Sequence, residues 1–306
     1  MNNFKKLILG LFLIFLILVG IVINDNWNRL SVVYSSNDNI VGTQNLAFPD
    51  ENLLEVHFLD VGQGDAIYIK TPDDIDVLID GGPDKNVLSQ LGRVMDFWDH
   101  QIDVVILTHP HSDHLDGLIE VLRRFDVKKV YYTGVLYAGS DYRVFLEEIQ
   151  NQNIETNIVN SKFKIDLGNE VDLEFLWPQV NYANQKVKEL NNTSIVNLLR
   201  YRDIEFLLTG DMETEVEELL IENNDYEDID VLKVAHHAST SSSSLDYLEK
   251  IAPEIAVIHV GADNSFGHPH RRVVDRLDRL KIQTFRTDLL GTITFKTDGV
   301  NLFQTP

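Results

Sequence analysis

Hydrophobic and polar positions divide this chain into three stretches. The first is an uncharged apolar run over residues 7–23, preceded by Lys5-Lys6. Such a run has no polar face for a protein surface, and its length is at the short end of the roughly 17–25 residues that span a bilayer as a helix. Asn24-Asp25-Asn26-Trp27 follows, with no small-x-small cleavage pattern, so residues 1–24 are expected to be a membrane anchor or uncleaved signal. Lysines on its N-terminal side place that end in the cytoplasm and the rest of the chain outside. Residues 25–52 are rich in Asn, Ser and Asp, lack periodicity and read as a polar linker.

From residue 53 to residue 306 the pattern is that of one folded domain. Strands are predicted over 65–69 and 76–81 around a turn at Thr71-Pro72-Asp73-Asp74, and the same arrangement returns over 194–199 and 206–211. Ile102-Asp103-Val104 precedes His109 by the offset at which Ile229-Asp230-Val231 precedes His236. A helix and a strand follow each: 115–124 then 129–132, and 244–251 then 255–260. Two such halves predict two packed β-layers with helices outside, and polar strand-end residues from both halves meeting along one edge. No second long apolar run occurs, which argues against a channel or transporter.

The densest chemistry is Thr108-His109-Pro110-His111-Ser112-Asp113-His114, directly after the apolar Val104-Val105-Ile106-Leu107. Three imidazoles and a carboxylate in six positions at a strand end suit a divalent ion such as Zn²⁺. His57 alternates in the strand 54–59 and reads as structural, as does His259; His100 and His270 read as exposed. An apolar fraction of 44% is enough for a full core. The formal charge of −22 argues against a broad nucleic-acid-binding surface. It leaves a local basic cluster, Arg271, Arg272, Arg276, Arg279 and Lys281, that reads as solvated surface or a phosphate strip. With no cysteine there is no disulfide, thiolate ligand or lipobox-type lipid attachment.

His109 to His114, Leu207-Leu208-Thr209-Gly210-Asp211 and His236 resemble the metallo-β-lactamase superfamily, a four-layer αββα sandwich. Within it the chain is similar to the hydrolase domain of ComEC/Rec2-type competence proteins. That likeness rests on Phe58-Leu59-Asp60-Val61-Gly62-Gln63-Gly64-Asp65-Ala66, Asn191-Asn192-Thr193-Ser194, Leu232-Lys233-Val234-Ala235-His236-His237-Ala238-Ser239 and Asn264-Ser265-Phe266-Gly267-His268-Pro269. The resemblance implies one or two divalent ions, Zn or Mn. His109 and His111 would hold the first, Asp113, His114 and His236 the second, with Asp211 bridging. Unlike the wider superfamily, this chain has no histidine between Leu115 and Met212, so the first ion is short of a ligand that Asn192 or Ser194 would replace.

Paired ions lower the pKa of bound water from ~15.7 towards ~7 and suit a phosphodiester. Asp113 is counted among the catalytic groups. His268 and His237 are candidates for donating a proton to the leaving group, His237 equally for orienting His236. Asp80 is expected to support the His109 loop. Asp65, Asn192, Ser194 and Ser239 are expected to face substrate, although Asp65 alternatively caps a turn. The reading is a membrane-anchored extracytoplasmic hydrolase, a phosphodiesterase or nuclease with DNA as a candidate substrate. A teichoic-acid-type cell-wall phosphoesterase, another ester or lactone hydrolase, and a non-catalytic surface binding protein are the alternatives. No protein partner is inferred.

Overall fold

The computed structural model describes residues 32–35, 53–223 and 228–305. The apolar run at residues 7–23 and most of the stretch read as linker lie outside them. No helix among the described residues is long and apolar enough to cross a membrane. Part of that stretch is strand, not linker: β1 (Val32–Ser35) pairs antiparallel with β16 (Asn301–Thr305).

Two sheets form the centre. The first follows the order β1-β16-β15-β2-β3-β4-β5-β6-β7, with β2 (Leu54–Phe58), β3 (Ile67–Lys70), β4 (Asp76–Ile79), β5 (Gln101–Ile106), β6 (Asp126–Tyr132), β7 (Glu155–Ile158) and β15 (Ile293–Thr297). The second follows β14-β13-β12-β11-β10-β9-β8, with β8 (Phe163–Asp166), β9 (Val171–Trp177), β10 (Val196–Tyr201), β11 (Ile204–Leu208), β12 (Val231–Lys233), β13 (Ile255–Ile258) and β14 (Gln283–Arg286). The halves read from the sequence thus separate into the two layers, except that β15 and β16 return from the second half to the first sheet.

Side-chain alternation assigns each strand residue a layer. Ile67, Ile69, Val77, Ile79, Val104 and Ile106 meet Phe206, Leu208, Val231 and Val257 between the sheets. Tyr68, Leu78 and Val105 point the other way, under the helices Asn86–Val94, Ser112–Leu122 and Ser140–Gln152. Leu207, Leu232 and Ala256 do the same under Thr214–Asn223, Leu245–Ile251 and Arg271–Leu280. Layers of helix, sheet, sheet and helix result.

β4, β5 and β6 run parallel, as do β11 to β14. Ligand sites in such sheets gather beyond the carboxyl ends of the strands. Asp80 follows β4, His109 follows β5, Asp211 follows β11, and His236 and His237 follow β12.

Candidate metal centre

The His109 loop is fixed from below by Asp80. Its Oδ1 accepts the Thr108 amide at 2.8 Å and its Oδ2 accepts the Thr108 hydroxyl at 2.7 Å. The same Oδ2 accepts from His114 Nδ1 at 2.7 Å, which turns His114 Nε2 toward Asp211. Asp80 sits at φ 59°, and the next residues approach the helix Ser112–Leu122 closely. A Cβ on Gly117 would fall 1.8 Å from the Gly81 carbonyl oxygen, so only glycine permits this contact. Gly64 is held against the same corner: a Cβ there would lie 2.1 Å from the Asp113 carbonyl oxygen. Gly64 thus lets the turn before Asp65 pack against the backbone of Asp113.

Asp113, His114, Asp211 and His237 each offer one ligand atom within 4.8 Å of the others. His114 Nε2 lies 3.3 Å from Asp211 Oδ1, and neither atom has a hydrogen-bond partner despite full burial. His237 Nε2 lies 3.3 Å from Asp113 Oδ2 and 3.6 Å from Asp211 Oδ2. His109 Nε2 and His111 Nδ1 face each other at 3.0 Å. Two nitrogens on a tetrahedral zinc, each ~2.0–2.1 Å from it, stand roughly 3.3 Å apart, so this pair is spaced to share one ion. Asp113 is partly exposed and His111 half-buried, which leaves the cluster open to solvent on their side.

Charge in the cluster points the same way. Burial opposes protonation of His114, yet Asp211, Asp80 and Asp113 hold its pKa well above the ordinary imidazole value. Burial likewise opposes charge on His237, but Asp211 and Asp65 push it up to about 10. Burial would raise Asp211, and the two rings hold it well below the usual carboxylate range. The carboxylates therefore demand positive charge at the point where their oxygens and the two Nε2 atoms converge. A divalent cation meets that demand without protonating its ligands, so the residues present fit a metal.

The pattern that defines the metallo-beta-lactamase superfamily matches residues 59–262. The chain belongs to that superfamily. It is similar to ComE operon protein 3 of Bacillus subtilis, 30% identical over 262 residues that make up 79% of this chain and 33% of that protein. It is also similar to competence protein ComA of Neisseria gonorrhoeae, 30% identical over 251 residues, 80% of this chain and 32% of the relative. The chain thus spans about a third of the length of these curated relatives. Igni18, a metallo hydrolase from Ignicoccus hospitalis, shares the fold with a TM-score of 0.52 at 12% identity, covering 79% of this chain and 98% of its own. As a member of this superfamily the chain is a metal-dependent hydrolase.

Several residues expected from the sequence take different places. His237, not His236, turns into the cluster. The backbone is left-handed at His236, His237 and Ala238, with φ of 49°, 52° and 63°. This turn directs His236 outward, where Nδ1 meets Ser241 Oγ at 3.2 Å and Glu213 at 3.3 Å, leaving Nε2 3.9 Å from Asp211. Asp65 cannot face substrate because it is buried. Its Oδ2 pairs with the buried Lys233 at 2.5 Å, and its Oδ1 lies 3.4 Å from both His237 and His259.

Ser194 is also fully buried. Its hydroxyl accepts the Asp211 amide at 3.1 Å and meets His109 Nδ1 at 3.3 Å, so it positions two ligands instead of touching substrate. Asn192 is occupied with the turn after Asp211, accepting the Glu213 amide at 2.9 Å and donating to Glu215 at 3.2 Å. Ser239 is buried and meets Ser241 Oγ at 3.1 Å. His268 stays near the cluster, its ring 6.0 Å from that of His237 and 5.7 Å from that of His236. Burial and these neighbouring rings push it down to about 4. His57 is structural, bonded to Thr294 at 2.9 Å, whereas His259 belongs to the Asp65 network.

Lys233 was not singled out by sequence reasoning. Its signal was a lysine inside the apolar run Val231-Leu232-Lys233-Val234-Ala235, where a buried ammonium needs a carboxylate partner.

Proposed function

We propose that this chain is a membrane-anchored, outward-facing, metal-dependent phosphodiesterase that acts on DNA. The observation that carries the reading is the convergence of Asp113 and His114 with Asp211 and His237, from different sheets, onto one point. Those four residues would hold one ion, and His109 and His111, with Asp211 shared, a second. Bound there, divalent ions acidify water near neutral pH and offset the charge that builds on an attacked phosphorus.

The chain's own residues prepare the site. His114 Nδ1 donates to Asp80 and His237 Nδ1 donates to the His259 carbonyl at 3.1 Å, so each ring presents Nε2 as the free lone pair. Ser194 fixes the backbone of Asp211 and the ring of His109 together. His268 lies on a loop beside His237, and with its pKa pushed down to about 4 its neutral ring would accept a proton near pH 7 and not supply one to a leaving group. The names of the relatives, competence proteins, support DNA as the polymer. Lys5-Lys6 and the apolar residues 7–23 support the anchor and its orientation.

The full chain, supplied with Mn²⁺ or Zn²⁺, should hydrolyse bis(p-nitrophenyl) phosphate and DNA, and Asp211→Ala should hydrolyse neither. Inactivity of the loaded wild type on every phosphodiester would sink the reading. Protease added to intact cells should digest the domain if it faces outward and spare it if it does not.

A further inference from the structure

We propose that the cleft beside His111 is a stacking subsite for an unpaired nucleobase of the substrate strand, an inference that rests on the phosphodiesterase reading. The cleft measures about 540 Å³, within the ~300–1,000 Å³ of small-ligand sites. Its lining includes Tyr132, Leu136, Tyr137, Tyr142, Arg143 and Asn184. Tyr142 is buried and forms the floor, while Tyr137 and Leu136, 36% and 50% exposed, form the rim. The Tyr137 ring and the Leu136 side chain are thus partly open to solvent.

The cleft and the metal centre are neighbours through one ring contact. The Tyr137 ring lies 6.4 Å from that of His111, and on its other side 6.3 Å from that of Tyr142. It is also pre-formed. Leu136 donates to the Gln185 carbonyl at 2.8 Å, Asn184 donates to the Gly134 carbonyl at 2.9 Å, and Val135 pairs with Ala183. Tyr137 is seated directly on Gly139, where an added Cβ would stand 2.4 Å from the ring. A rigid, pre-placed aromatic face loses little entropy on binding.

The chemistry of the wall selects the occupant. Apart from the tyrosine hydroxyls, Ser140, Arg143 and Asn184, the lining side chains are apolar or absent. A sugar or polyol needs a dense set of hydrogen-bond partners, which this wall supplies only at those few groups. A nucleobase offers a flat π-face that any aromatic ring can stack upon, and Arg143, exposed and 3.8 Å from Glu147, gives the cleft a cation. Stacking needs an unpaired base, so the site favours single-stranded over duplex DNA.

The test uses the full chain and a short fluorescein-labelled oligothymidylate. Binding is read by anisotropy in the Asp211→Ala background, which does not depend on turnover. Tyr137→Ala should weaken binding roughly tenfold, the order of one lost base–aromatic stack, while Tyr137→Trp should retain it. Gly139→Ala, which dislodges the ring without removing it, should act like Tyr137→Ala. Affinity for an abasic strand of equal length should not follow the variants. With an active chain, Tyr137→Ala should also lower the efficiency on the oligonucleotide about tenfold relative to that on bis(p-nitrophenyl) phosphate. Equal binding by Tyr137→Ala and its parent, or an equal fall on the abasic strand, overturns the subsite. So does a polyol-phosphate polymer whose turnover falls in Tyr137→Ala while the oligonucleotide's does not. A wild type inactive on all diesters refutes the phosphodiesterase reading instead, and the binding arm still decides the cleft.

Discussion

The two corners that meet at the metal centre are built on opposite principles. In the first, His109 to His114 run from the end of β5 into a helix, and His111 caps that helix with ordinary extended backbone, φ −71° and ψ 149°. Its ligands are set by local geometry and braced by Asp80, with Ser194 behind His109. In the second, three consecutive residues after β12 are left-handed, and each such non-glycine residue costs of order 1–3 kcal/mol. That strain is held by a frame: His236 N donates to the Gly210 carbonyl at 3.2 Å, Ser239 N to the His236 carbonyl at 2.8 Å, and His270 N to the Ala238 carbonyl at 3.0 Å. Beneath it lies the Asp65–Lys233 ion pair. The first corner is a motif; the second exists only through long-range contacts, and it decides which of two adjacent histidines faces the metal.

The two adjacent histidines should differ most when each is removed. His237→Ala should abolish metal-dependent hydrolysis, whereas His236→Ala should retain a measurable rate. The reverse ranking would return the ligand to His236. Next in size is the ion pair under the strained corner. Lys233→Met leaves the Asp65 carboxylate buried and unpaired, and should lower unfolding free energy by about 3–5 kcal/mol in urea titrations. A second change, Asp65→Asn, should recover much of it. An unaltered midpoint for Lys233→Met would show that the pair does not support the corner.

The first corner should be less fragile. Asp80→Asn keeps the shape but removes the carboxylate behind His114, and chelator competition should report metal affinity about 10–100-fold weaker. Smallest is the effect at the other end of β4. Burial, then Asp99, pushes Asp76 up to about 7, although Tyr68 donates to it at 2.6 Å and Lys70 lies nearby. A carboxyl whose folded pKa is raised takes up a proton that the unfolded chain has released, so its contribution to stability declines as pH rises from about 4 to about 7. Asp76→Asn should flatten that decline in urea midpoints compared at pH values across this window. A steeper slope in the variant would contradict the assignment.

The strands before Asp80, His109, Asp211 and His236 were legible because apolar runs end at turn residues, and the H-x-H-x-D-H order is compact enough to declare itself. Helices such as Leu245–Ile251, capped by Ser244 accepting from Tyr247, follow from local rules too. The choice between His236 and His237 was not legible, since a left-handed turn of three non-glycine residues has no local preference behind it. Nor was the partnership of Asp65 with Lys233, which only the packing of two sheets creates. Ser194 and Asn192 looked like substrate groups because polar residues near a motif often are; burial makes one a positioning group and hydrogen bonding makes the other a brace. The tyrosine cleft left no sequence pattern, since Tyr132, Tyr137 and Tyr142 converge only through a loop and two element ends.

Metal content decides whether these side chains form an ion site. The full chain, loaded with Zn²⁺ or Mn²⁺ and freed of excess, should retain at least one ion per chain by elemental analysis, and Asp211→Ala, equally folded, should retain none. A wild type that holds no ion, or an Asp211→Ala protein that holds as much as the wild type, would rule out an ion held by Asp211.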